Sequence, residues 1–467
     1  MRAQGVTVTG APGRLAVPAA APATLALLVA VVFAGAVRAG FLPDDWADVV
    51  GNPAAAAATF LERLPGTVRP LLKASYALQD WLHGPWPAGF HAANVIVHAG
   101  AAALVWVLVR RMPGMADAGP HLALLVAALW AVHPAMAETV TYVSGRSAGL
   151  SGLLVLAALV LATGPRSRAA TIGAGLCAAL APLARETALV LPALLMLWQV
   201  TLGRGESPAV ALRRVAPVLA GTALAALLLA AMPGHRGLVA FSLQARDPVE
   251  ALRGNVHAVP DILWLWLAPW RVSIDPAQPL AWDWLETPTL VRLAGLAAGV
   301  AVAAGLRRKT PLAALAIGWT LLCLVPTNSV IWRVDPVGLR PLYLASLGPV
   351  LLLAFGLGRL DRLAPRMGMV AASALVAALA AMTVQRNALH ADPVALWQQA
   401  ADRAPERGRP WIGLGWALLE EGDLAGAERA LAEGLAREPW SLSARRGLEI
   451  VAGRRAIAAP AAEEGEE

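Results

Sequence analysis

An all-α polytopic membrane protein, with about eleven transmembrane helices and a short helical hairpin outside the membrane, is the fold this sequence predicts. Three observations carry the prediction. Of 467 residues, 58% are hydrophobic and 15% charged, with a mean hydropathy of +0.59, which is more apolar surface than a soluble chain of that length buries. The apolar residues gather into runs close to the roughly 20 residues that cross a bilayer. After residue 385 the pattern changes to charged, amphipathic helix.

Residues 1–17 read as a cytoplasmic N-terminus carrying Arg2 and Arg14. The first run, 18–39, has the flanking charge of a signal peptide, but no small-residue cleavage site precedes a soluble domain, so it reads as a retained span. Further spans are expected at 91–110, 121–138, 145–163, 169–184, 187–203, 211–232, 289–306, 311–327, 341–358 and 367–384. The segment "VHAVPDILWLWLAPW", within 256–271, is short and rich in Trp, and reads as a re-entrant or interfacial helix. With 256–271 not crossing, the groups Arg110–Arg111, Arg166/Arg168, Arg204/Arg213/Arg214, Arg307–Lys309 and Arg359/Arg362/Arg366 all lie on the cytoplasmic side. The C-terminus then lies outside. Asp44/Asp45, His91/Asn94, His133/Glu138, Arg185/Glu186 and Arg340/Tyr343 fall on the outer face, where Trp46, Trp81, Trp86, Trp282, Trp284 and Trp332 form an interfacial belt.

The membrane domain spans 18–384 and contains one long outer loop, 40–90, a length that usually carries function. An outer helical region, 385–455, follows. Within it, 408–441 matches the tetratricopeptide spacing through Trp411, Leu414, Gly415, Leu418, Ala427, Leu431 and Pro439. A single repeat cannot bury both of its faces, so this one packs on the membrane domain or on a partner. The tail, 456–467, is acidic, low in complexity and expected to be disordered.

A net charge of +7 does not point to nucleic acid: the arginines are scattered between apolar runs, with no basic face carrying interleaved aromatics. Cys177 and Cys323 lie inside apolar runs, which argues against a disulfide framework or a Cys-ligated metal. Asp44 and Asp45, at the start of the outer loop, are candidates for a general base that takes a proton from an acceptor hydroxyl; helix capping is the structural alternative. His91, Asn94 and His98 stand at i, i+3 and i+7, either as a polar stripe or as metal ligands, with packing the bland reading for His98. His133 and Glu138 flank a proline break. Arg185 and Glu186 form either a structural ion pair or a phosphate site. Arg340 stands before a span, in reach of a lipid-linked phosphate, and Arg146 is a further candidate. No Walker loop, dinucleotide fingerprint or HExxH is present.

Taken in order, "DDWADVVGNP", "RPLLKASYALQDWLHG", "GFHAANVIVHAGAA", "LWAVHPAMAETVTYVSGRSAGLSGLL", "ARETALVLPALLML", "APWRVSIDPAQPLAWDW", "VPTNSVIWRVDPVGLRPLYLASLG" and "RNALHADPVALWQQAADRAP" resemble the transmembrane and tetratricopeptide repeat-containing O-mannosyltransferases and their bacterial relatives, of the GT-C superfamily. The resemblance implies a GT-C membrane glycosyltransferase. It would move a hexose such as mannose, with inversion, from a polyprenyl-phosphate donor to a hydroxyl on Ser or Thr of a secreted or membrane protein. It further implies a multi-pass protein of the bacterial inner membrane whose repeat faces the periplasm. Asp44 or Asp45 would activate the acceptor, and Arg146, Arg185 and Arg340 would neutralise the leaving phosphate. His91, His133 and Glu138 would orient the sugar or the loop. No cofactor is certain; a divalent cation could take part, although the ligand set is not diagnostic of one. Where the family places an acidic residue just before the late Arg, this chain has Leu339. The alternative is a non-catalytic scaffold with a periplasmic repeat; a transporter would need paired internal repeats and mid-span charge, which the sequence lacks.

Overall fold

Proline sets the start of many helices, because its fixed φ and missing N–H cost little in a first turn. Pro70, Pro87, Pro208, Pro248, Pro311 and Pro393 each open one. The computed structural model describes residues 20–42, 45–113, 120–203, 205–245, 247–278, 283–329, 335–364 and 366–463. Asp44, Arg204, Trp282, Trp332, the N-terminus 1–17 and the last four residues of the acidic tail lie outside the described residues.

Among the described residues all regular structure is helical. The longer helices are α1 (Ala20–Val32), α2 (Pro70–His83), α3 (Pro87–Arg110), α4 (Pro120–Ala131), α5 (Arg146–Thr163) and α6 (Arg168–Ala184). They continue with α7 (Leu191–Leu202), α8 (Pro208–Ala231), α9 (Pro233–Ala245), α10 (Pro248–Leu267), α11 (Thr287–Leu306) and α12 (Pro311–Leu324). The last are α13 (Leu347–Leu363), α14 (Met367–His390), α15 (Pro393–Arg403), α16 (Gly408–Glu421), α17 (Leu424–Arg437) and α18 (Leu442–Glu463).

Six helices among the described residues are long and apolar enough to cross a bilayer: Pro87–Arg110, Val143–Thr163, Pro208–Ala231, Thr287–Leu306, Leu342–Asp361 and Met367–His390. His121–Ala131 and Pro134–Val140 reach that length only as a pair bent by 54°, giving seven if the pair is one span. Pro134 has no N–H to continue the helix, which explains the break. The other four predicted runs are represented by shorter apolar helices, Ala20–Val32, Arg168–Ala184, Glu186–Leu202 and Pro311–Leu324.

Helix α5 is the centre of the bundle. In its span 72% of the apolar window is buried inside the protein, against 6% for α11, so α11 presents its side chains to the surroundings. Helices α6 and α8 cross where a Cβ on Gly221 would strike the Gly175 carbonyl, a small-residue contact of the kind that holds apolar helices together.

The 40–90 loop folds over one end of this bundle. Its helix α2 buries Leu72, Tyr76 and Ala77 and leaves Leu78, Trp81 and Leu82 exposed, the distribution of a helix lying in an interface. Burial lowers the affinity of Lys73 for its proton, although Asp48 pairs with it at 3.2 Å and works the other way. Arg69, before Pro70, adopts a left-handed φ of 61° and donates to both carboxylate oxygens of Glu186 at 3.1 and 3.2 Å. That ion pair ties the loop to the α6–α7 connection.

At the C-terminal end, α16 and α17 form a helical hairpin, turned at Gly422 (φ 88°) and capped by Asp423, which accepts from the Gly426 N–H at 2.8 Å. Helix α18 packs beside α17 and continues into the segment expected to be a disordered tail. The hairpin is fastened by charge. Arg407 reaches Asp275 at 3.1 Å and Asp335 at 2.8 Å, while Arg409 bonds Asp275 at 2.6 and 2.9 Å and also pairs with Asp335. Asp275 is completely buried. Burial weakens the hold of Arg409 on its proton, but the two aspartates outweigh that and raise its pKa.

Candidate active site

The site is built on the turn Tyr142–Arg146, which leads into α5. A tight 3₁₀ turn at Val143–Gly145 needs Gly145, since a Cβ there would meet the carbonyl of Thr139 at 2.7 Å. The turn turns Ser144 so that its backbone and side chain serve different partners. The Ser144 N–H donates to Asp45 Oδ1 at 2.7 Å, and the other oxygen of Asp45 accepts from the Leu42 N–H at 3.1 Å. The Ser144 hydroxyl accepts from Arg340 Nη2 at 2.9 Å. One residue therefore holds both the carboxylate of the 40–90 loop and the guanidinium of the late tyrosine segment.

Arg340 is fixed further by Glu138, whose Oε1 lies 3.3 Å from its Nε, and by the Tyr142 ring, 5.0 Å below its guanidinium. The second oxygen of Glu138 accepts from the Leu339 N–H at 3.1 Å. The carboxylate beside Arg340 thus comes from the bent pair rather than from position 339. Arg340 also separates two spaces. On one side, with Arg185, Ser151, Thr187 and Thr327, it lines a narrow recess of about 20 Å³. On the other lies a cleft of about 440 Å³, walled by Glu138, Tyr142 and Arg340 below and by Trp397, Ile412 and Trp416 of the C-terminal helices above.

Asp45, Glu138, Arg185 and Arg340 are brought together; the remaining described candidates sit apart or are engaged elsewhere, and Asp44 lies outside the described residues. Glu186 is held by Arg69, and Arg185 donates to Ser147 Oγ at 3.0 Å. Arg146 is locked in place: its Nε donates to Asn94 at 2.7 Å, its Nη2 to the Phe90 carbonyl at 2.9 Å, and its guanidinium covers the Tyr76 ring at 4.8 Å. These bonds give Arg146 the work of joining α3, α2 and the turn. His91 is buried near the backbone of Ala39, Gly40 and Thr141, and neither ring nitrogen makes a hydrogen bond of normal geometry. His133 caps the break at Pro134, accepting from the Ala135 N–H, and stacks on Trp266 at 4.9 Å, outside the two spaces beside Arg340. His98 is a packed residue, 3.0 Å from both the Tyr343 hydroxyl and the Ala131 carbonyl. Among the described residues no group of three or more His, Cys, Asp or Glu is placed to hold a metal ion.

Ser144, Ser147, Trp397 and Trp416 were not singled out from sequence. A serine in a turn has no local pattern that announces two partners, and Trp397, before the 408–441 segment, and Trp416, inside it, carry no spacing that marks a cleft wall.

Part of the chain is similar to a known glycosyltransferase. It is 32% identical over 160 residues to the mouse (Mus musculus) protein O-mannosyl-transferase TMTC1, an alignment covering 31% of this chain and 17% of that protein. The chain therefore matches only a small part of the relative's length. No family model matches the sequence. With six apolar helices of crossing length, the partial likeness fits a multi-pass membrane protein related to glycosyltransferases.

Proposed function

We propose that the protein is a membrane glycosyltransferase of GT-C type that moves a hexose, mannose by preference, from a polyprenyl-phosphate donor to a hydroxyl acceptor, with inversion. The observation that carries this reading is the joint hold of Ser144 on Asp45 and Arg340, beside Arg185. An acid and cations meeting at the end of apolar helices suit a reaction in which a hydroxyl loses a proton while a phosphate gains charge.

In this mechanism Arg340 and Arg185 face the donor phosphate, which passes from a singly charged diester to a more highly charged monoester as the glycosidic bond breaks. The narrow recess between them widens by side-chain movement to admit it. The pair Asp44/Asp45 supplies the base. Asp45 is buried and both of its carboxylate oxygens already accept amide N–H bonds; it anchors the loop on which Asp44 stands. Glu138 orients Arg340, Arg146 holds the frame, and His91 and His133 support the loop and the bent pair. The cleft under Trp397 and Trp416 receives the acceptor, a Ser or Thr of a secreted or membrane protein. The remaining parts of the reading are eleven spans, a tetratricopeptide hairpin at 408–441, and a bacterial inner membrane with the hairpin in the periplasm.

Purified protein given a polyprenyl-phosphate hexose and a Ser/Thr peptide tests the proposal. Transfer that persists undiminished in D44N and D45N removes the assigned chemistry, and no transfer by the unaltered chain with any such donor favours the non-catalytic scaffold. Outside-reagent labelling of a cysteine placed at Gly415 tests the orientation; protection there contradicts it.

A further inference from the structure

The end of α5 opposite the candidate site carries a second basic centre. Helix α5 runs 18 residues from Arg146 to Thr163, about 27 Å at 1.5 Å per residue, so its far end lies close to one hydrocarbon thickness from the turn that holds Asp45. There a recess of about 280 Å³ opens between α5, α6 and α8, with Arg166, Arg213 and Arg214 on its rim.

The arginines at this end divide into two kinds. Arg111 donates to the Val160 carbonyl, and Arg214 donates to the carbonyls of Ala162 and Gly164 at 2.7 and 3.1 Å, so both satisfy the open C-terminal end of α5. Arg214 also pairs with Glu206 at 3.0 Å. Arg213 has no hydrogen bond or ion pair among the described residues, and Arg166 has only a 3.4 Å contact with the Val210 carbonyl. Two exposed cations thus border a recess without a protein anion of their own. The first turn of α6, through Ala170 and Thr171, forms another part of the wall and adds the positive end of a helix dipole. The deeper wall is apolar, made by Leu161, Ala174 and Pro217.

We propose that this recess binds the phosphate headgroup of an anionic phospholipid, with Arg166 and Arg213 on the phosphate and an acyl chain along the apolar wall. A soluble phosphate would use the cations but leave that wall uncovered, which is why the lipid is the occupant chosen. The site is separate from the proposed glycosyl-transfer chemistry and stands whether or not that reading holds.

The test uses the full chain, delipidated in detergent and titrated by native mass spectrometry with phosphatidylglycerol or phosphatidylcholine. Retention of phosphatidylglycerol over phosphatidylcholine is expected. It falls about fivefold for each arginine removed in R166Q and R213Q, returns in R166K/R213K, and is unchanged in R307Q/R308Q. Equal retention of the two lipids, an equal loss in R307Q/R308Q, or full displacement by millimolar inorganic phosphate overturns the proposal.

Discussion

Replacing Arg340 by Gln is the most direct probe of the proposed chemistry. The guanidinium is held by Glu138 at 3.3 Å, by Ser144 at 2.9 Å and over the Tyr142 ring at 5.0 Å, with 17% of its side chain exposed. When a glycosyl phosphate diester becomes a monoester, the phosphate gains up to one unit of charge. At about 4 Å and an effective dielectric near 20, that added charge is worth about 4 kcal/mol beside one cation. Arg185 shares the phosphate and solvent reaches the site, which brings the part belonging to Arg340 to about 2–3 kcal/mol. Turnover is therefore expected to fall about 10²-fold in R340Q, with R340K intermediate, because Lys keeps the charge but not the fork that meets Glu138 and Ser144. The assay is transfer of labelled hexose from polyprenyl phosphate to a peptide, with the protein in nanodiscs at saturating donor. Thermal unfolding of the same samples separates chemistry from folding. Turnover within twofold of the parent, in a folded R340Q, refutes the assignment.

Three further outcomes follow from the geometry. D45N is expected to lower both turnover and stability, the latter by about 2 kcal/mol, since it weakens two amide bonds to a buried carboxylate, whereas D44N is expected to lower turnover alone; equal melting losses in both contradict the division of labour. A Cβ at Gly413 would strike the Trp397 ring at the cleft wall, so G413V should raise the acceptor KM several-fold with kcat nearly unchanged, and an unaltered KM places the acceptor elsewhere. Folded Lys73 binds its proton less tightly than the ordinary value of 10.5, so the unfolded chain holds more protons just below that pH and stability gains from this residue as pH rises there. Chemical unfolding across that alkaline window should show the slope in the parent and lose it in K73M.

The membrane helices were legible because hydropathy acts locally: each run carries its own reason to be buried, and Pro70, Pro87 and Pro208 announce their helices in place. Asp45, Glu138, Arg185 and Arg340 stand out in sequence as charges costly to place beside apolar helices. Their partners do not. Arg185 has Glu186 beside it in sequence, yet α6 ends in extended backbone at Arg185, Ser147 accepts from Arg185, and Glu186 takes Arg69 of the 40–90 loop. Arg146 looked like a phosphate ligand, but Asn94, Phe90 and Tyr76 enclose it once α2 folds back on α3. Such pairings depend on which helix ends meet, and no periodicity encodes that. Span lengths suffered for a related reason. The 54° bend at Pro134 and the extended residue at Arg185 shorten helices where polar groups must be presented.

The charge cluster under the hairpin bears on how the chain can be divided. Asp275 belongs to the membrane half, is fully covered, and has its counter-ions on the C-terminal side, at Arg407 and Arg409. Cutting the chain near residue 390 would strip an enclosed carboxylate of both guanidinium partners, a change of the kind that costs several kcal/mol, and would remove the roof of the cleft in the same stroke. The C-terminal hairpin is therefore less an appended module than the last course of masonry in the helical bundle, and trimming it to isolate the bundle would yield a damaged bundle.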